Sequence, residues 1–378
     1  MAWLTGWTYR KKVTITGQSG AGTNYQVLFK VGETSGATGE DFDLEGNSTS
    51  FPTGKDVGGD LRFTAADGTT LLDFWVEKIT GTTPNILAYI WVEVSADLGS
   101  NQDIYCYYGN AGASDYSDGD DTFVFYSGFD GGSIDTAKWN TALQVGTWSI
   151  SAGRLKGTDA STFRLPSKNP VLSGMSTWAI EWIGEGSTNY AVAVCSKVDN
   201  TGLFTSGYHT LATIPLDLIY IYNEGAGNSG GAYNYLTNTK YKAKQFYDGT
   251  NLEFKVYLED GETLASEYSI ADGTPPANNY IAPRATGGIT YWEDLFVRKY
   301  LATEPTYSST NSEESLQLVE LSDTINLSDA SNYPEAILAD TITISDSLIN
   351  DIAHYATKII RLDSTNMLIV TDTDPAEI

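Results

Sequence analysis

The sequence predicts an all-β protein: two consecutive β-sandwiches followed by an extended C-terminal tail of β-repeats. The chain has 9 Trp, 24 Tyr and 13 Phe beside 37 Gly and 11 Pro, a balance that suits strands joined by tight turns. Its apolar segments are short, often alternate with polar residues, and show no clear helical period. At roughly 150 residues per domain, its 378 residues are enough for two domains and a remainder.

Residues 1–113 are expected to form the first sandwich. Strand-like segments follow one another there, each too short for a typical helix. These segments are 12–16, 25–31, 71–76, 87–94 and 104–108. Asp67-Gly68 predicts a turn, and residues 36–59, dense in Gly, Ser, Thr and Asp, predict a long loop. The number and size of the segments match a β-sandwich of about 110 residues.

A small, polar and acidic stretch after residue 110 predicts a linker, and the second domain, 122–302, follows it. Its clearest element is a hairpin in which Asp248-Gly249 separates two strand-like runs, 241–247 and 252–258. The residues of the second run expected to face the core are Leu252, Phe254 and Val256. With about 180 residues and no helical pattern, this domain has the size of a large jelly-roll sandwich.

The tail, 314–378, follows a polar linker at 304–312 and contains an internal repeat. The string DTINLSD at 323–329 recurs 17 residues later as DTITISD at 340–346, and a weaker copy occupies 357–363. The tail has 12 acidic and 2 basic side chains. Each repeat offers one thin apolar edge that cannot be buried alone, so we expect docking or oligomerisation. A disordered acidic tail is the alternative.

The composition excludes several classes of partner and site. With 22 basic and 48 acidic side chains, the net charge of −26 repels nucleic acid and anionic membranes. No stretch approaches the roughly 20 apolar residues of a spanning helix, so membrane insertion is not expected. Two His and two Cys are too few for a zinc site rich in these residues. Cys106 and Cys195 lie in strand patterns of different domains and are expected to be buried free thiols.

Several motifs occur in order through the first domain. They are Trp7–Ile15, Gly59–Thr64, Asp67–Thr69, Leu72–Glu77, Trp91–Val92 and Ile104–Asn110. Together they resemble the family catalogued as domain of unknown function 2341, over residues 1 to about 113. The resemblance implies a cell-surface or virion-surface module, commonly associated with glycan binding, and no established activity for this domain.

The second domain has its own set of motifs. They are Phe129-Asp130, Ile134–Trp139, Gly146–Ile150, Gly153–Leu155 and Trp292–Arg298. These stretches resemble concanavalin-like jelly rolls of the laminin-G or family-16-hydrolase type. The resemblance implies a fold more specifically than a function. In such jelly rolls a structural calcium ion lies near the first strand and is completed from the last one. Asp130 and Asp294 stand at those two places, and a solvated acidic surface is the alternative.

The hydrolases among these jelly rolls place Glu-x-Asp-x-(x)-Glu on one strand face. Glu181 and Glu185 lie four residues apart on one predicted strand face, but Ile183 occupies the position where the motif has its middle acidic residue. A solvated face is the favoured interpretation of this pair, and we expect no enzymatic activity. The acidic run 41–45 lies in a polar loop of the other domain and is rejected. Gly227–Gly231 matches Gly-x-Ser-x-Gly by chance, because no helix pattern follows it.

Sugar binding requires aromatic side chains that present a flat face to a pyranose ring. Candidate residues in the second domain are Trp178, Trp182, Tyr220, Tyr222, Tyr233 and Tyr235, with Tyr190 and Tyr208 as further possibilities. Burial in the core is the alternative for each of them, because sandwich cores also use Trp and Tyr. Residues 220–224 are the strongest platform candidate, since Tyr alternates there with Ile beside a Gly-rich loop at 225–231.

The N-terminus reads MAWLTGW and runs directly into a strand pattern, with no features of a secretory signal. A surface-type module that is not exported is most simply a virion component. We therefore expect a virion-surface fibre, spike or decoration protein. Its jelly roll is expected to bind a host-surface glycan, and its tail to bind other virion proteins or copies of itself. The alternatives are a secreted or S-layer-associated carbohydrate-binding adhesin or filament subunit, and a glycoside hydrolase.

Overall fold

The structure is a computed structural model that describes residues 2–199, 207–223, 226–308, 313–316, 358–362 and 368–372. The chain forms two compact units, Met1–Leu318 and Val319–Ile378. The all-β prediction is confirmed, because the one α-helix in the described part of the chain, α1, has only four residues, Gly119–Thr122. Both predicted sandwiches lie in the larger unit.

The first sandwich has two sheets that enclose an apolar core. Its strands are β1 (Tyr9–Thr16), β2 (Tyr25–Gly32), β3 (Phe42–Asp43), β4 (Arg62–Thr64), β5 (Leu71–Leu72), β6 (Phe74–Thr80), β7 (Leu87–Val94) and β8 (Gln102–Tyr108). One sheet has the order β1-β8-β4-β5 and the other β3-β2-β7-β6. Val13, Phe29, Phe63 and Ile90 are fully buried between them, as expected from the alternation of apolar and polar residues.

The second sandwich consists of one long sheet that folds over its own core. Its strands are β9 (Phe125–Ser127), β10 (Thr147–Ile150), β11 (Leu155–Arg164), β12 (Trp178–Gly186), β13 (Tyr190–Val198), β14 (Tyr208–Thr213), β15 (Leu218–Asn223), β16 (Ala226–Gly230), β17 (Lys240–Tyr247), β18 (Asn251–Leu258), β19 (Leu264–Ala271) and β20 (Tyr280–Arg298). The main order is β16-β15-β14-β13-β20-β12-β17-β18-β19. Strands β15 and β16 contact β19, so the two ends of the sheet meet around a buried aromatic and aliphatic core.

The long strand β20 belongs to both layers of this sandwich. Its residues 280–283 pair with β13, and residues 290–298 pair with β12. Between these regions Gly287 and Gly288 have φ values of 67° and 74°, where glycine is strongly favoured. A Cβ atom on Gly288 would lie 2.2 Å from Thr188 Oγ1, so a larger residue does not fit.

The predicted hairpin is confirmed in β17 and β18. The Asp248 carboxylate accepts hydrogen bonds from the backbone N–H groups of Thr250 and Asn251 and closes the turn. The three residues expected to face the core, Leu252, Phe254 and Val256, are fully buried. Gly249 has a φ of 94°, which explains why Asp-Gly is favoured here.

After the second sandwich, the chain returns to the first. Strands β21 (Thr306–Ser308) and β22 (Glu314–Ser315) both pair with β1. Tyr307 packs against Phe29 with 4.8 Å between ring centroids and donates a 2.6 Å hydrogen bond to Asp41. The segment 304–312, expected to be a polar linker, therefore contributes a strand to the first sandwich, because the edge of β1 is open to pairing.

An aromatic cluster joins the two sandwiches. Trp75 and Trp91 come from β6 and β7, and they pack with Phe123, Tyr126 and Phe296 of the second sandwich. Phe123 and Phe296 stack with 4.3 Å between centroids. We call this aromatic cluster, together with the charged residues beside it, the interdomain interface. The charged residues are Glu77, Glu181, Lys242, Lys244 and Arg298. This interface explains why the larger unit is compact across both sandwiches.

The smaller unit contains an antiparallel pair, β23 (Lys358–Leu362) and β24 (Leu368–Asp372). Strand β23 overlaps the weaker third copy of the predicted repeat. The two clearer copies, 323–329 and 340–346, lie outside the described residues. In the described ranges, no helix has the length and apolar character needed to cross a membrane.

Candidate functional site

Strand β15 presents a pair of tyrosines on the face opposite the core. Ile219 and Ile221 are fully buried in the core, whereas Tyr220 and Tyr222 point the other way and are partly exposed. The two tyrosine rings lie nearly parallel, with 5.9 Å between centroids and 14° between planes. This arrangement confirms the alternation predicted for 220–222, and it follows from the two-residue period of a strand. Glu224 and Gly225 lie outside the described residues.

The strand register places small and apolar residues beside the tyrosine pair. Tyr222 is opposite His209, and Tyr220 is opposite Leu211. On the next strand Cys195 is opposite His209 and Ala193 is opposite Leu211. We define the outer face by the residues of β13, β14, β15 and β20 that alternate with core residues: Ala193, Cys195, His209, Leu211, Tyr220, Tyr222, Ala282 and Arg284.

Two arginines border the outer face on the side away from the tyrosines. Arg284 of β20 is directly opposite Arg164 of β11, and both are partly exposed. Burial, together with the charges of Arg284 and Arg164, lowers the pKa of His209 to about 3. Burial raises the pKa of Cys195 to about 12, against the opposing effect of the same two arginines. The imidazole is therefore neutral and the thiol protonated near neutral pH.

Sequence reasoning missed these arginines, although a signal was present. Arg164 stands between Phe163 and Leu165, and Arg284 precedes Ala285, so each alternates with a fully buried residue. Charged residues at alternate positions of a strand lie on its non-core face. The pairing of β11 with β20 brings the two together, and that pairing is not visible in the sequence.

Several predicted platform residues belong to the core instead. Trp178 is fully buried and stacks on Tyr247, with 4.4 Å between centroids, and Trp182 is fully buried and stacks on Phe254. Tyr235 is only 2% exposed. The assignment of Trp178, Trp182 and Tyr235 as glycan platforms is corrected, because none of them offers a ring face to a ligand.

The remaining tyrosine candidates have different surroundings. Tyr208 is fully buried. Tyr190 and Tyr233 are partly exposed but pack against the core. Tyr233 lies between β16 and β17, where its ring contacts that of Tyr235 at 5.2 Å. Of the predicted set, the structure brings Tyr220 and Tyr222 together on an accessible face.

Glu181 and Glu185, the two glutamates considered as a hydrolase pair, both form ion pairs. Glu181 is fully buried, 2.9 Å from the Arg298 Nε, 3.3 Å from the Lys244 Nζ and 3.6 Å from the Lys242 Nζ. Burial by itself raises the pKa of Glu181, but the three cations outweigh it and hold the pKa at about 2. Glu185 accepts a 2.8 Å hydrogen bond from Arg154. The expected solvated face is wrong for Glu181, which belongs to the interdomain interface.

The predicted calcium ligands Asp130 and Asp294 do converge, but on a lysine. The Lys55 ammonium lies 2.6 Å from Asp294 and 3.2 Å from Asp130. Asp294 is only 5% exposed and has a φ of 47° where the β12–β20 pairing is irregular, and its carboxylate contacts Lys55. Calcium needs six to eight oxygen ligands, and the described residues contain no cluster of three or more acidic, His or Cys side chains suited to a metal. The residues as they stand fit an ion pair rather than calcium.

Replacing Lys55 by Met is expected to make stability more sensitive to rising pH. Burial raises the pKa of Asp294 from 3.8 to about 6 even though Lys55 opposes this shift. A raised folded-state pKa means that stability is lost as pH rises through it. Without Lys55 this pKa rises further, so the loss between about pH 5 and about pH 8 should grow by about 1–3 kcal/mol. Urea unfolding of the variant and of the unaltered protein at both pH values measures this loss of stability.

The double variant Lys55→Met/Asp294→Asn is the control, since it has no carboxylate left to ionise at this position. Its stability should differ little between the two pH values. Millimolar calcium is expected to leave the unfolding temperature of the unaltered protein unchanged. A single Lys55→Met variant with the pH dependence of the parent would contradict this description of Asp294.

Two further sequence features are resolved by the structure. Gly227–Gly231, which matched Gly-x-Ser-x-Gly, forms most of strand β16 rather than a loop, and the described residues from 232 to 239 after it contain no helix. It is therefore not a nucleophile elbow. Cys106 and Cys195 are both free and buried, as predicted.

Comparison with solved structures gives matches to carbohydrate-binding proteins. The carbohydrate-binding module CBM66 from Bacillus subtilis is 19% identical, covering 43% of this chain and 96% of its own, with a TM-score of 0.33. Lectin II from Ulex europaeus is 11% identical, covering 47% and 100%, with a TM-score of 0.33. The CBM2 module of the Lactobacillus casei BL23 phage J-1 evolved Dit is 12% identical, covering 48% and 97%, with a TM-score of 0.34.

No curated protein matches the chain by sequence. A family model does match part of it, between residues 57 and 142. This match begins later than the motifs recognised in the sequence and continues past residue 113, through α1 and β9 into the second sandwich. Residues 57–142 of this chain match the family described as Domain of unknown function (DUF2341), which confirms the resemblance.

Proposed function

We propose that the protein binds carbohydrate through the outer face of its second sandwich. The observation that carries this proposal is the pair Tyr220 and Tyr222, whose nearly parallel rings lie side by side on an accessible sheet face. Aromatic rings bury the apolar faces of sugars while their hydroxyl groups remain available for hydrogen bonds. Two rings on one strand suit a chain of sugars better than a single small ligand.

The surroundings of the tyrosine pair support the same function. Ala193, Cys195 and Ala282, which lie beside the rings on the neighbouring strands, are buried, so the accessible part of this face is the tyrosine pair and the adjoining strand β16. Ser229 of β16 is opposite Tyr220 on the other side and is exposed, so it can hydrogen-bond a sugar hydroxyl. Aromatic rings fixed on one strand beside an exposed polar group favour a preorganised binding site.

The wider role that we propose is structural and adhesive rather than enzymatic. Glu181 and Glu185, the pair most similar to a hydrolase motif, are engaged in ion pairs, and a low pKa does not suit Glu181 to acid catalysis. The internal repeat of the tail favours attachment to copies of the chain or to other proteins. A virion-surface fibre, spike or decoration protein that binds host-surface glycans fits these features. A secreted or S-layer-associated adhesin would use the same binding face.

Replacing Tyr222 by Ala is expected to weaken glycan binding about tenfold, because truncating a central aromatic contact typically costs more than 1 kcal/mol. Tyr220→Ala should have a similar effect, and the double variant a larger one. A glycan array probed with the full chain identifies a bound saccharide, and calorimetric titration of that saccharide then measures the loss.

Tyr291→Ala is the matched control. Tyr291 is also a partly exposed tyrosine on a strand, but its ring lies over Arg154, away from the outer face. Unchanged affinity in both Tyr220 and Tyr222 variants would move the site elsewhere. If the full chain binds no saccharide on the array, the proposed function is wrong.

A further inference from the structure

A cleft lies on the outward side of the layer formed by β17, β18 and β19. Alternate residues of these strands enter the core, and the residues between them point away from it. Near the turn that joins β17 and β18, the outward residues border a cleft of about 300 Å³, which is at the lower end of the size range of small-molecule sites. We call it the hairpin cleft. Its lining residues are Phe246, Asp248, Asn251, Glu253, Ser269 and Tyr300.

The floor of the hairpin cleft is one row of residues across three strands. Glu253 of β18 is directly opposite Phe246 of β17 on one side and Ser269 of β19 on the other. Residues in such positions lie on the same face of a sheet. Phe246 is buried, and the ring of Tyr300 stacks on it with 4.7 Å between centroids and 34° between planes. Because Tyr300 is partly exposed, its ring is the accessible aromatic surface of the cleft.

The groups around the cleft are held in position by other parts of the chain. The Asn251 Nδ2 donates a 3.1 Å hydrogen bond to Asp248, which orients the amide and leaves its oxygen to accept from a ligand. The Thr177 Oγ1 donates a 2.6 Å hydrogen bond to the backbone oxygen of Tyr300 and fixes the chain beneath the ring. Asn251 and Ser269 are both exposed. An aromatic ring and polar groups that are already placed favour a preorganised site.

The charges of the cleft favour a neutral ligand. Lys255 lies 3.2 Å from Glu253 and 3.5 Å from Glu267, so its ammonium group is already paired with carboxylates. Burial, reinforced by the charge of Glu253, raises the pKa of Tyr300. Its hydroxyl group is therefore protonated near neutral pH and can donate a hydrogen bond. Carboxylate, amide and hydroxyl groups beside a ring suit the hydroxyl groups and apolar face of a sugar, whereas an anion would meet carboxylates.

We propose that the hairpin cleft is a second saccharide site, which takes one ring of a neutral glycan. The sugar packs against Tyr300, and its hydroxyl groups bond to Glu253 and to the polar side chains beside it. Ile221 of β15 and Phe254 of β18 enter the same core from opposite layers, so the tyrosine pair and this cleft lie on opposite sides of the sandwich. The inference extends the proposed function by a site that does not depend on the outer face.

The test titrates cellohexaose, laminarihexaose and mannohexaose into the full chain and into the Tyr220→Ala/Tyr222→Ala double variant. The double variant lacks both rings of the outer face, so the binding that it retains reports the hairpin cleft. At least one of the three should still bind it. Adding Glu253→Ala should then weaken that binding about tenfold, the usual loss for a hydrogen bond to a charged group. Adding Tyr300→Ala should also weaken it, because the ring contact is lost.

Two matched control variants test whether these losses are specific. Glu267 is an exposed carboxylate that pairs with the same Lys255 but does not line the cleft. Tyr257 is a partly exposed tyrosine of the same layer whose ring lies under Lys244, 5.1 Å from the Nζ. Glu267→Ala and Tyr257→Ala should leave the affinity of the double variant unchanged. Thermal unfolding of each variant checks that it is folded.

The outcomes separate this inference from the proposed function. Binding by the full chain that disappears in the Tyr220→Ala/Tyr222→Ala variant overturns the inference and supports the outer face. Retained binding that neither Glu253→Ala nor Tyr300→Ala weakens also overturns the inference. Binding that the double variant keeps in full and Glu253→Ala weakens supports the hairpin cleft and contradicts the outer face. If none of the three oligosaccharides binds the full chain, the inference is wrong, and the glycan array decides the proposed function separately.

Discussion

Replacing Glu181 by Gln should lower the free energy of unfolding by about 3–5 kcal/mol at neutral pH, the usual result of breaking a buried ion pair from one side. Glu181 is fully buried, and Arg298, Lys242 and Lys244 all direct positive charge at it. The amide keeps the shape of the side chain but leaves these cations without their central anion. Urea unfolding followed by tryptophan fluorescence measures the loss.

Glu185→Gln is the matched control on the same strand. Glu185 is partly exposed and pairs with Arg154, which is also partly exposed. Ion pairs near the surface contribute about 0–1 kcal/mol to the free energy of unfolding, so this variant should lose little stability. If the Glu181 and Glu185 variants lose the same small amount, the interdomain interface does not depend on this cluster.

The pH dependence of stability offers a second readout of Glu181. Its pKa is lowered from 4.5 to about 2. A lowered folded-state pKa contributes stability above the unfolded value, and this contribution is lost as pH falls through the folded value. At about 1.4 kcal/mol per pKa unit, the ion cluster should lose about 3 kcal/mol between about pH 4.5 and about pH 2. The Glu181→Gln variant should lack this part of the acid-induced loss.

The alternation of side chains along strands could be predicted from the sequence, and so could the hairpin of β17 and β18. In β15 the alternation separated the tyrosines from the isoleucines correctly, because the period of a strand depends only on local geometry. The Ile residues are the more apolar partners and enter the core, which leaves the Tyr residues outside. This reasoning located the tyrosine pair of the outer face.

In β12 the same reasoning did not locate the residues correctly. Trp178 and Trp182 alternate with Glu181; the tryptophans are candidate glycan platforms with burial in the core as the alternative, and the glutamate is expected on a solvated face. Both faces of β12 are buried, one by the core and the other by the first sandwich, whose Glu77 pairs with Lys242 beside Glu181. Local periodicity does not reveal that a second domain covers the outer face of a strand.

Long-range partners explain the other differences. Lys55 comes from a polar loop of the first sandwich and reaches two aspartates of the second. Nothing near residue 55 indicates such a partner, and the positions of Asp130 and Asp294 indicated a cation without indicating which one. Strand β21 could not be predicted from the sequence for the same reason. Its three residues lie in a polar segment and form a strand only because β1 offers a free edge.

Removing the chain from Glu304 onward, with β21 and β22, should destabilise the larger unit by about 3–5 kcal/mol, because the buried Arg10 loses its carboxylate partner and Arg298 keeps Glu181 but loses Glu304. Arg10 is 6% exposed and pairs with Glu314, and Arg298 is 4% exposed and pairs with Glu304. Tyr307 would also leave its contact with Phe29. The unfolding midpoints of chains ending at Thr303 and at Leu318 measure this loss.

The chain ending at Leu318 is the control, because it keeps both strands and removes only the smaller unit. It should unfold at the midpoint that the larger unit has in the full chain, whereas the shorter chain should unfold much earlier. Equal midpoints for the two shortened chains would show that the returning strands are dispensable. The same control tests the tail: an oligomeric state identical to that of the full chain would remove the assembly role proposed for residues 314–378, of which this chain keeps only 314–318. A cut after Leu318 thus separates stability from assembly, since β22 at the start of the tail pairs with the first sandwich, whereas the repeats begin at residue 323.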